Sequence, residues 1–439
     1  MADATGDNSS SMGWFDRDDA LSSAAAILFV AAFGILSARS TGEQVDALTF
    51  VLLIATTWLT FAVFLCCEET NRTVRFGVMA AGLARIAGVA AAPIYEDDWA
   101  RYLWDGWRTI ADGTPYGVAP AEFLERADVP AVWMTVLQTV NHPDVPTIYG
   151  PTLQGVFALA AAIGPAELLV LKLLFVIFDL IVWVLVWKLG GATAGLRYAL
   201  CPLVVFEVSF NAHADIVGVA LMVLAFFLLS RRGLVRSGIA FGLAIAAKPL
   251  AIALAPIFLG LRAFAALFAA IVTIGAAYAP FFLRGATEAD GLAVFSQYWE
   301  FNSFGFAVLK EYVGEPHVRA LSLALGCSIS GALMLVWLLR PTEKTPPVDL
   351  WLLALFLFSP VVNAWYLLWI APWAALRGSA ISFAALAAVS TSYLTDGVLG
   401  IEGTGYHDHQ WWVRPLEVML FASIAFGLFL FARKRSQTS

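Results

Sequence analysis

Apolar residues fall into runs about as long as a membrane is thick. Runs of roughly twenty residues cross a hydrocarbon core about 30 Å thick as helices, and only helices or closed barrels satisfy the backbone there. The runs are too long and too evenly apolar for barrel strands. The sequence therefore predicts an all-α, polytopic integral membrane protein with about twelve transmembrane helices. The predicted spans are 20–39, 46–67, 75–94, 167–187, 195–210, 215–230, 263–283, 319–339, 348–361, 364–376, 380–394 and 415–432.

Two further apolar stretches fit a full crossing poorly. Residues 151–163 are short enough to form a re-entrant or interfacial helix. Residues 237–260 are long enough, but Lys248-Pro249 interrupts them, and proline removes a backbone donor and breaks or kinks a helix. We expect both stretches to enter the membrane without crossing it. If both crossed, Arg231 and its basic neighbours would lie outside.

Basic residues in short loops predict the orientation, because Lys and Arg are enriched on the cytoplasmic side. The four basic groups are Arg72 with Arg75, Arg231 with Arg232 and Arg236, Arg340 with Lys344, and Arg433 with Lys434 and Arg435. Placing them inside predicts a polar cytoplasmic tail (1–19), one transmembrane domain (20–432) and a basic cytoplasmic tail (433–439). The predicted outer segments, where unusual polar and aromatic residues concentrate, are then 95–150, 211–214, 284–318, 362–364 and 395–414.

The amino-acid composition is typical of a protein embedded in the lipid bilayer. Of 439 residues, 60% are hydrophobic and 13% are charged, whereas soluble domains carry about 25% charged residues. The net charge is −7 without a basic cluster, so no nucleic-acid partner is expected. The four cysteines lie in or beside apolar runs without metal-ligand spacing, and we interpret them as packing residues.

Three consecutive carboxylates, Glu96, Asp97 and Asp98, follow the third apolar run. Clustered carboxylates repel one another and lose solvation, which raises at least one pKa, and such a group can act as a general base towards a hydroxyl. In a helix, Asp97 and Asp98 would share a face with Arg101 and Tyr102, and Arg101 could bind a phosphate. The alternative is a solvated helix start whose carboxylates complement the helix dipole.

Other ionisable and aromatic residues mark the later segments. His142 and Tyr149 lie in a loop rich in proline and glycine, where they could bind a substrate head group or pack the loop. His213 and Asp215 stand between two apolar runs, where ionisable residues are functional hypotheses by default. His213 could bind phosphate or relay a proton, or it could be incidental beside a helix N-cap. Lys248 could bind a lipid phosphate or snorkel to water.

Three weaker clusters complete the set. They are Trp-Glu-Phe-Asn at 299–302, Asn-Ala-Trp-Tyr at 363–366 and His-Asp-His at 407–409. The last contains metal-binding residue types, but three adjacent loop residues are no recognised ligand spacing. The sequence also lacks a Walker loop, G-x-G-x-x-G and HExxH. We therefore expect no metal site and no cofactor.

The order of these motifs resembles a known class of enzymes. D-D-x-x-R-Y-x-W-D-G at 97–106, then G-x-P-Y at 113–116 and N-H-P-x-x-P-T-I-Y-x-P at 141–151, resemble GT-C type membrane glycosyltransferases. The most similar group is glycosyltransferase family 87 with its DUF2029 relatives, which are polyprenol-phosphate-mannose-dependent mannosyltransferases. N-A-H-A-D, A-A-K-P-L and N-A-W-Y-L-L-W fit the same group. The resemblance covers roughly residues 75–375.

The resemblance implies a specific reaction. Such an enzyme moves a hexose, here expected to be mannose, from a polyprenyl-phosphate donor to a lipid or glycan acceptor on the extracytoplasmic side of a bacterial plasma membrane. It implies inversion at the anomeric carbon, no metal requirement and an acidic general base on the first large outer loop.

The residue roles follow by matching motif positions. The base stands four residues before an aromatic position, which makes Asp98 the first candidate and Asp97 the second. The substrate- and phosphate-binding candidates are Arg101, Tyr102, His142, Tyr149, His213, Asp215 and Lys248. One departure is that the acidic loop here follows the third predicted span, whereas in the family it often follows the first.

The alternative class is a polytopic transporter or a flippase for lipid-linked sugars. Transporters also use intramembrane ions and broken helices, often in inverted repeats around a mid-membrane site. This sequence shows no halves with matching broken segments, and its acids lie at a membrane boundary. A non-enzymatic scaffold is disfavoured because several polar clusters converge on one face.

Overall fold

The protein is described by a computed structural model that covers residues 17–438 except 43–44, 316, 341–344 and 403–404, with side chains from 18 to 430. In these ranges the secondary structure is helical apart from one isolated bridge between Phe301 and Val361. The predicted all-α class is therefore confirmed. Most of the predicted tail 1–19 and the basic residue Lys344 lie outside the described residues.

Helices follow one another along the whole described chain. In order they are α1 (Arg17–Ser40), α2 (Ala47–Cys66), α3 (Asn71–Ala90), α4 (Asp98–Asp112), α5 (Ala131–Thr139), α6 (Pro151–Ile163), α7 (Leu168–Ala199), α8 (Pro202–Val205), α9 (Asp215–Ser230), α10 (Leu234–Ala247), α11 (Ala255–Gly260), α12 (Phe264–Phe282), α13 (Ala289–Tyr298), α14 (Gly305–Val313), α15 (His317–Leu339), α16 (Val348–Leu357), α17 (Ala371–Arg377), α18 (Ala380–Ala388), α19 (Asp396–Leu399) and α20 (Val413–Thr438). Tighter 3₁₀ turns occupy Pro120–Phe123, Pro249–Leu254, Ala364–Trp369 and Val389–Tyr393, and Phe206–Phe210 forms a wider π turn.

Among the described residues, seven helices are long and apolar enough to cross a membrane, namely α1, α2, α3, α7, α12, α15 and α20. Their outward side chains suit a lipid environment: Leu59 and Phe268 are each 69% exposed. Each of these helices overlaps a predicted span. The shorter apolar helices would have to be counted to reach about twelve crossings, so the polytopic class is confirmed while that count stays a prediction.

The predicted span 195–210 is not one helix. Helix α7 bends at Gly191, whose φ of 76° interrupts the helical backbone, and it ends at Ala199. The chain then restarts as the short α8 at Pro202, which lacks an N–H and is favoured in a first helical turn. The π turn Phe206–Phe210 follows. This irregular piece delivers polar side chains into the interior, as π turns at functional sites often do.

The break predicted at Lys248-Pro249 is confirmed. Helix α10 ends at Ala247, Lys248 is extended with φ −153° and ψ 128°, and a 3₁₀ turn begins at Pro249. The predicted span 364–376 is similarly interrupted: the 3₁₀ turn Ala364–Trp369 precedes α17. Irregular backbone at membrane depth is tolerated only where protein or a cavity surrounds it, so we expect both breaks to face the protein interior or a cavity rather than lipid.

Candidate active site

The segment leading into α4 is anchored on two sides. The backbone N–H of Ile94 donates to Asn211 Oδ1 at 2.9 Å, and the Tyr95 hydroxyl donates to the carbonyl of Val45. Tyr95 has a φ of 63°, a conformation uncommon for a bulky residue. These contacts hold the turn that carries the three carboxylates.

Asn141 connects the two aspartates. Its amide Nδ2 donates to Asp97 Oδ1 at 2.7 Å and to Asp98 Oδ1 at 2.9 Å. Asp97 is the residue before α4 and Asp98 is its first residue. One amide group from a distant loop therefore fixes both carboxylates at the start of the helix.

Two tyrosine hydroxyls approach the other oxygen of Asp98. Tyr102 and Tyr149 each lie 3.4 Å from Asp98 Oδ2, and their rings meet edge to face with centroids 5.0 Å apart. The predicted pairing of Asp98 with Tyr102 across one helical turn is therefore present. Asp98 thus faces a small polar cluster with hydroxyl groups on one side and an amide on the other.

The carboxylates perturb one another. Burial, followed by the charge on Asp98, raises the pKa of Asp97, and the bond from Asn141 partly opposes this. Burial, followed by Asp98, Glu207 and Asp97, raises the pKa of Glu96 well above its usual range. Carboxylates whose protonated form is favoured in this way are common at catalytic sites.

Arg101 braces the loop beside the aspartates. Its guanidinium donates to the carbonyls of His142 at 3.0 Å and Val145 at 2.8 and 3.0 Å, and the residue is only 6% exposed. In this arrangement its donors are directed at backbone oxygens. Phosphate binding by Arg101 stays a prediction that would require these bonds to be exchanged.

The W-D-G part of the motif has a structural basis that the sequence did not reveal. Buried Asp105 accepts from the Thr147 hydroxyl and, at 3.2 Å, from Gln154 Nε2. At Gly106 a Cβ would lie 2.2 Å from the carbonyl oxygen of Phe157, so α4 and α6 touch backbone to backbone there. This contact places the helix that carries Asp98.

Asp215 and Lys248 form a second polar cluster beside the first. Lys248 Nζ lies 2.6 Å from Asp215 Oδ1, which also accepts from Trp369 Nε1 at 2.6 Å. The ammonium lies 3.9 Å from the centroid of the Tyr366 ring, a cation–π contact. Asp215 is 5% exposed and the Lys248 side chain 28%, so only the lysine is accessible.

His213 is enclosed rather than accessible. Its Nδ1 lies 2.8 Å from Glu207 Oε2, both side chains are 0% exposed, and the imidazole stacks on Trp365 with centroids 4.0 Å apart. The Tyr393 hydroxyl donates to both Glu207 oxygens at 2.9 Å. Glu207 lies inside the predicted span 195–210 and is absent from the predicted site residues, although a lone carboxylate in an apolar run is itself an indication of function.

The turn Ala364–Trp369 supplies an aromatic partner to each of three residues: His213, Asp215 and Lys248. Trp365 stacks on His213, Tyr366 lies under Lys248 and Trp369 donates to Asp215. The turn Ala364–Trp369 and the residues His213, Asp215 and Lys248 thus belong to one cluster. Within the described ranges, no group of three or more His, Cys, Asp or Glu side chains could hold a metal ion.

An all-helical membrane domain that holds paired carboxylates, tyrosines and an accessible lysine fits a membrane-embedded transferase. The comparison with family models gives the family. The chain belongs to the MptA_B family, described as alpha-(1->6)-mannopyranosyltransferase, N-terminal domain, whose model matches residues 9–265. The protein is therefore a multi-pass mannosyltransferase, and its resemblance to GT-C enzymes is confirmed. No curated protein matches the chain.

Proposed function

We propose that this mannosyltransferase uses a polyprenyl-phosphate mannose donor and that Asp98 is its general base. The observation that supports this most is the setting of Asp98. Its carboxylate is held by Asn141, faces Tyr102 and Tyr149, and stands just beyond the third membrane helix. A lipid-linked sugar would present its anomeric carbon at this boundary, with its polyprenyl chain among the helices.

The reaction exchanges one bond for another at the anomeric carbon. The acceptor oxygen forms a bond to that carbon as its proton passes to Asp98, and the bond to the donor phosphate breaks, with its electron pair leaving on the phosphate. In this scheme the configuration inverts. A positioned base of this kind contributes about 10²–10⁴-fold to the rate.

Lys248 is the cation proposed to meet the leaving phosphate, where negative charge builds in the transition state. Its side chain is 28% exposed, whereas Arg101 is engaged by carbonyl oxygens. Asp215 and Tyr366 hold the ammonium in place until the donor arrives. His213, which is enclosed by Glu207 and Trp365, would instead position the aromatic turn beside the donor.

The proposed orientation places this site outside the cytoplasm of a bacterial plasma membrane. It follows from the basic loops, which assign the segments around Asp98 and Ala364–Trp369 to one side. The family description suggests that the product linkage is α-(1→6). We accordingly choose an α-(1→6)-linked mannoside as the test acceptor.

The test is transfer from radiolabelled polyprenyl-phosphate mannose to octyl α-(1→6)-mannobioside by purified protein in liposomes. Asp98→Asn should lower turnover at least about hundredfold, and Asp97→Asn should lower it less. Asp128→Asn is the matched control, because Asp128 is an exposed acid of the same loop, paired with Arg126.

Wild-type turnover in both Asp98→Asn and Asp97→Asn would refute the base assignment. A wild-type protein that passes no mannose from this donor to mannoside or water would refute the donor. Movement of the donor across the bilayer without transfer would favour a flippase.

A further inference from the structure

Residues 299–302 form a loop that the proposed chemistry leaves unused. The loop follows α13 and begins with Trp299, whose indole meets the His142 imidazole edge to face, with centroids 4.7 Å apart. His142 is the neighbour of Asn141, the residue that holds both aspartates. Trp299 therefore lies at the rim of the proposed catalytic cluster.

This loop is fixed at several points. Arg319 Nη1 donates to the carbonyl of Trp299 at 3.1 Å. The N–H of Phe301 donates to the carbonyl of Pro360, and the N–H of Val362 donates back to the carbonyl of Phe301, each at 2.9 Å. Exposed loops are ordinarily mobile, so these contacts hold Trp299 in one place before any ligand binds. Such preorganisation lowers the cost of binding.

Helix α13 is also seated directly on the loop that contains Tyr149. A Cβ at Gly291 would lie 2.5 Å from the carbonyl oxygens of both Pro146 and Thr147. The helix backbone therefore touches the loop without an intervening side chain. Trp299 directly follows this helix. The contact at Gly291 therefore fixes the position of Trp299 relative to the loop that brings Tyr149 to Asp98.

The chemistry at this rim suits an uncharged ligand. Glu300 is neutralised by Lys310, with Nζ and Oε2 2.9 Å apart. Burial, followed by the neighbouring His407, lowers the pKa of His142 and favours its neutral form. Trp299 is partly exposed, its ring stacks against Phe295 with centroids 5.5 Å apart, and none of the described acceptors takes a bond from its indole N–H. A large apolar ring with a free polar donor matches a sugar, which has an apolar C–H face and hydroxyls at its edge.

We propose that Trp299, set against His142, is the stacking platform for a pyranose ring of a glycan acceptor. The inference rests on the proposed function, because it takes Asp98 as the position of the acceptor hydroxyl. The sugar next to the reacting residue would lie on Trp299, which orients the reacting hydroxyl towards Asp98.

The kinetic test compares Trp299→Phe, which keeps an aromatic face, with Trp299→Leu, which keeps bulk but no ring. Using octyl α-(1→6)-mannobioside, we expect Trp299→Leu to raise the acceptor KM about tenfold, the equivalent of a lost aromatic contact. Trp299→Phe should stay within about threefold, and the donor KM should not change. Tyr298→Leu is the control, since Tyr298 is the preceding residue and 71% exposed.

A second measurement does not depend on turnover. Equilibrium binding of the mannobioside should weaken in Trp299→Leu and persist in Trp299→Phe, with both variants monodisperse and unfolding near the wild-type temperature. Equal binding by the two variants, or a fall in kcat without a change in acceptor KM, would overturn the inference and assign Trp299 to packing. Those results would leave the donor and Asp98 assignments intact, because these depend on the Asp98→Asn experiment alone.

Discussion

Gly106→Ala tests whether the contact between α4 and α6 positions Asp98, the proposed general base. The added Cβ would lie 2.2 Å from the carbonyl oxygen of Phe157 and 2.5 Å from its carbonyl carbon, whereas ordinary contact begins at 3.4 Å. Both obstructing atoms belong to the backbone, so no side-chain rotation can relieve the clash. The two helices would have to separate by about 1 Å.

Gly106→Ala should affect the free energy of unfolding through two opposing contributions and should lower the activity strongly. Overpacking of this kind costs about 1–3 kcal/mol, while replacing glycine by alanine within a helix returns about 1 kcal/mol. The net loss of stability should therefore be small. Asp98 lies two helical turns from Gly106 on the same helix, and a displacement of about 1 Å at a catalytic group can lower the rate about hundredfold.

The assay is mannosyl transfer by purified Gly106→Ala protein, with thermal unfolding measured in the same detergent. Gly155→Ala is the matched control, because Gly155 lies on α6 and a Cβ there would meet nothing within 4 Å. The control should keep full activity and gain up to about 1 kcal/mol. If both variants keep wild-type turnover, the contact does not position Asp98 and the reasoning is wrong.

Two further predictions concern polar contacts. Asn141→Leu removes a bond that lowers the pKa of Asp97, so the acid limb of the kcat/KM–pH profile should move to higher pH, because Asp97 then keeps its proton to higher pH. The control is Gln138→Leu at an exposed position, which should leave the acid limb of the profile in place. If Asn141→Leu also leaves the acid limb in place, the bond from Asn141 does not lower the pKa of Asp97. Asp179→Leu leaves Arg85 buried without its 2.5 Å partner and should cost about 3–5 kcal/mol in unfolding experiments. Replacing both residues of that pair by leucine should recover most of the loss, and a double variant no more stable than the single one would contradict this.

The sequence could predict what lies within one helix or at one break. Asp98 and Tyr102 are four residues apart, so helical periodicity alone places them together. Lys248 precedes a proline, so the local backbone alone predicts an interruption. In both cases the determining residues are neighbours along the chain.

Contacts between distant segments could not be predicted in this way. Asn141 is 43 residues from Asp98, and only the packing of its loop against α4 turns its amide towards both carboxylates. Glu207 is 186 residues from Tyr393. Neither pairing produces a periodic pattern of residues along the sequence. The roles of Asn141, Glu207 and the turn Ala364–Trp369 therefore emerge only from the three-dimensional arrangement.

The order of these groups in space bears on how the proposed reaction would run. Tyr102 lies 3.4 Å from Asp98 Oδ2, and burial, followed by Tyr149, Asp98 and then Asp215, raises the pKa of Tyr102. Lys248 adjoins Asp215, whereas Asn141 leads from Asp98 towards Trp299. A displacement at carbon needs its leaving group and its nucleophile on opposite sides. With phosphate at Lys248 and acceptor at Trp299, the proposed reaction would place these two groups on opposite sides of the anomeric carbon, and Asp98 would take the proton from the acceptor hydroxyl on the acceptor side.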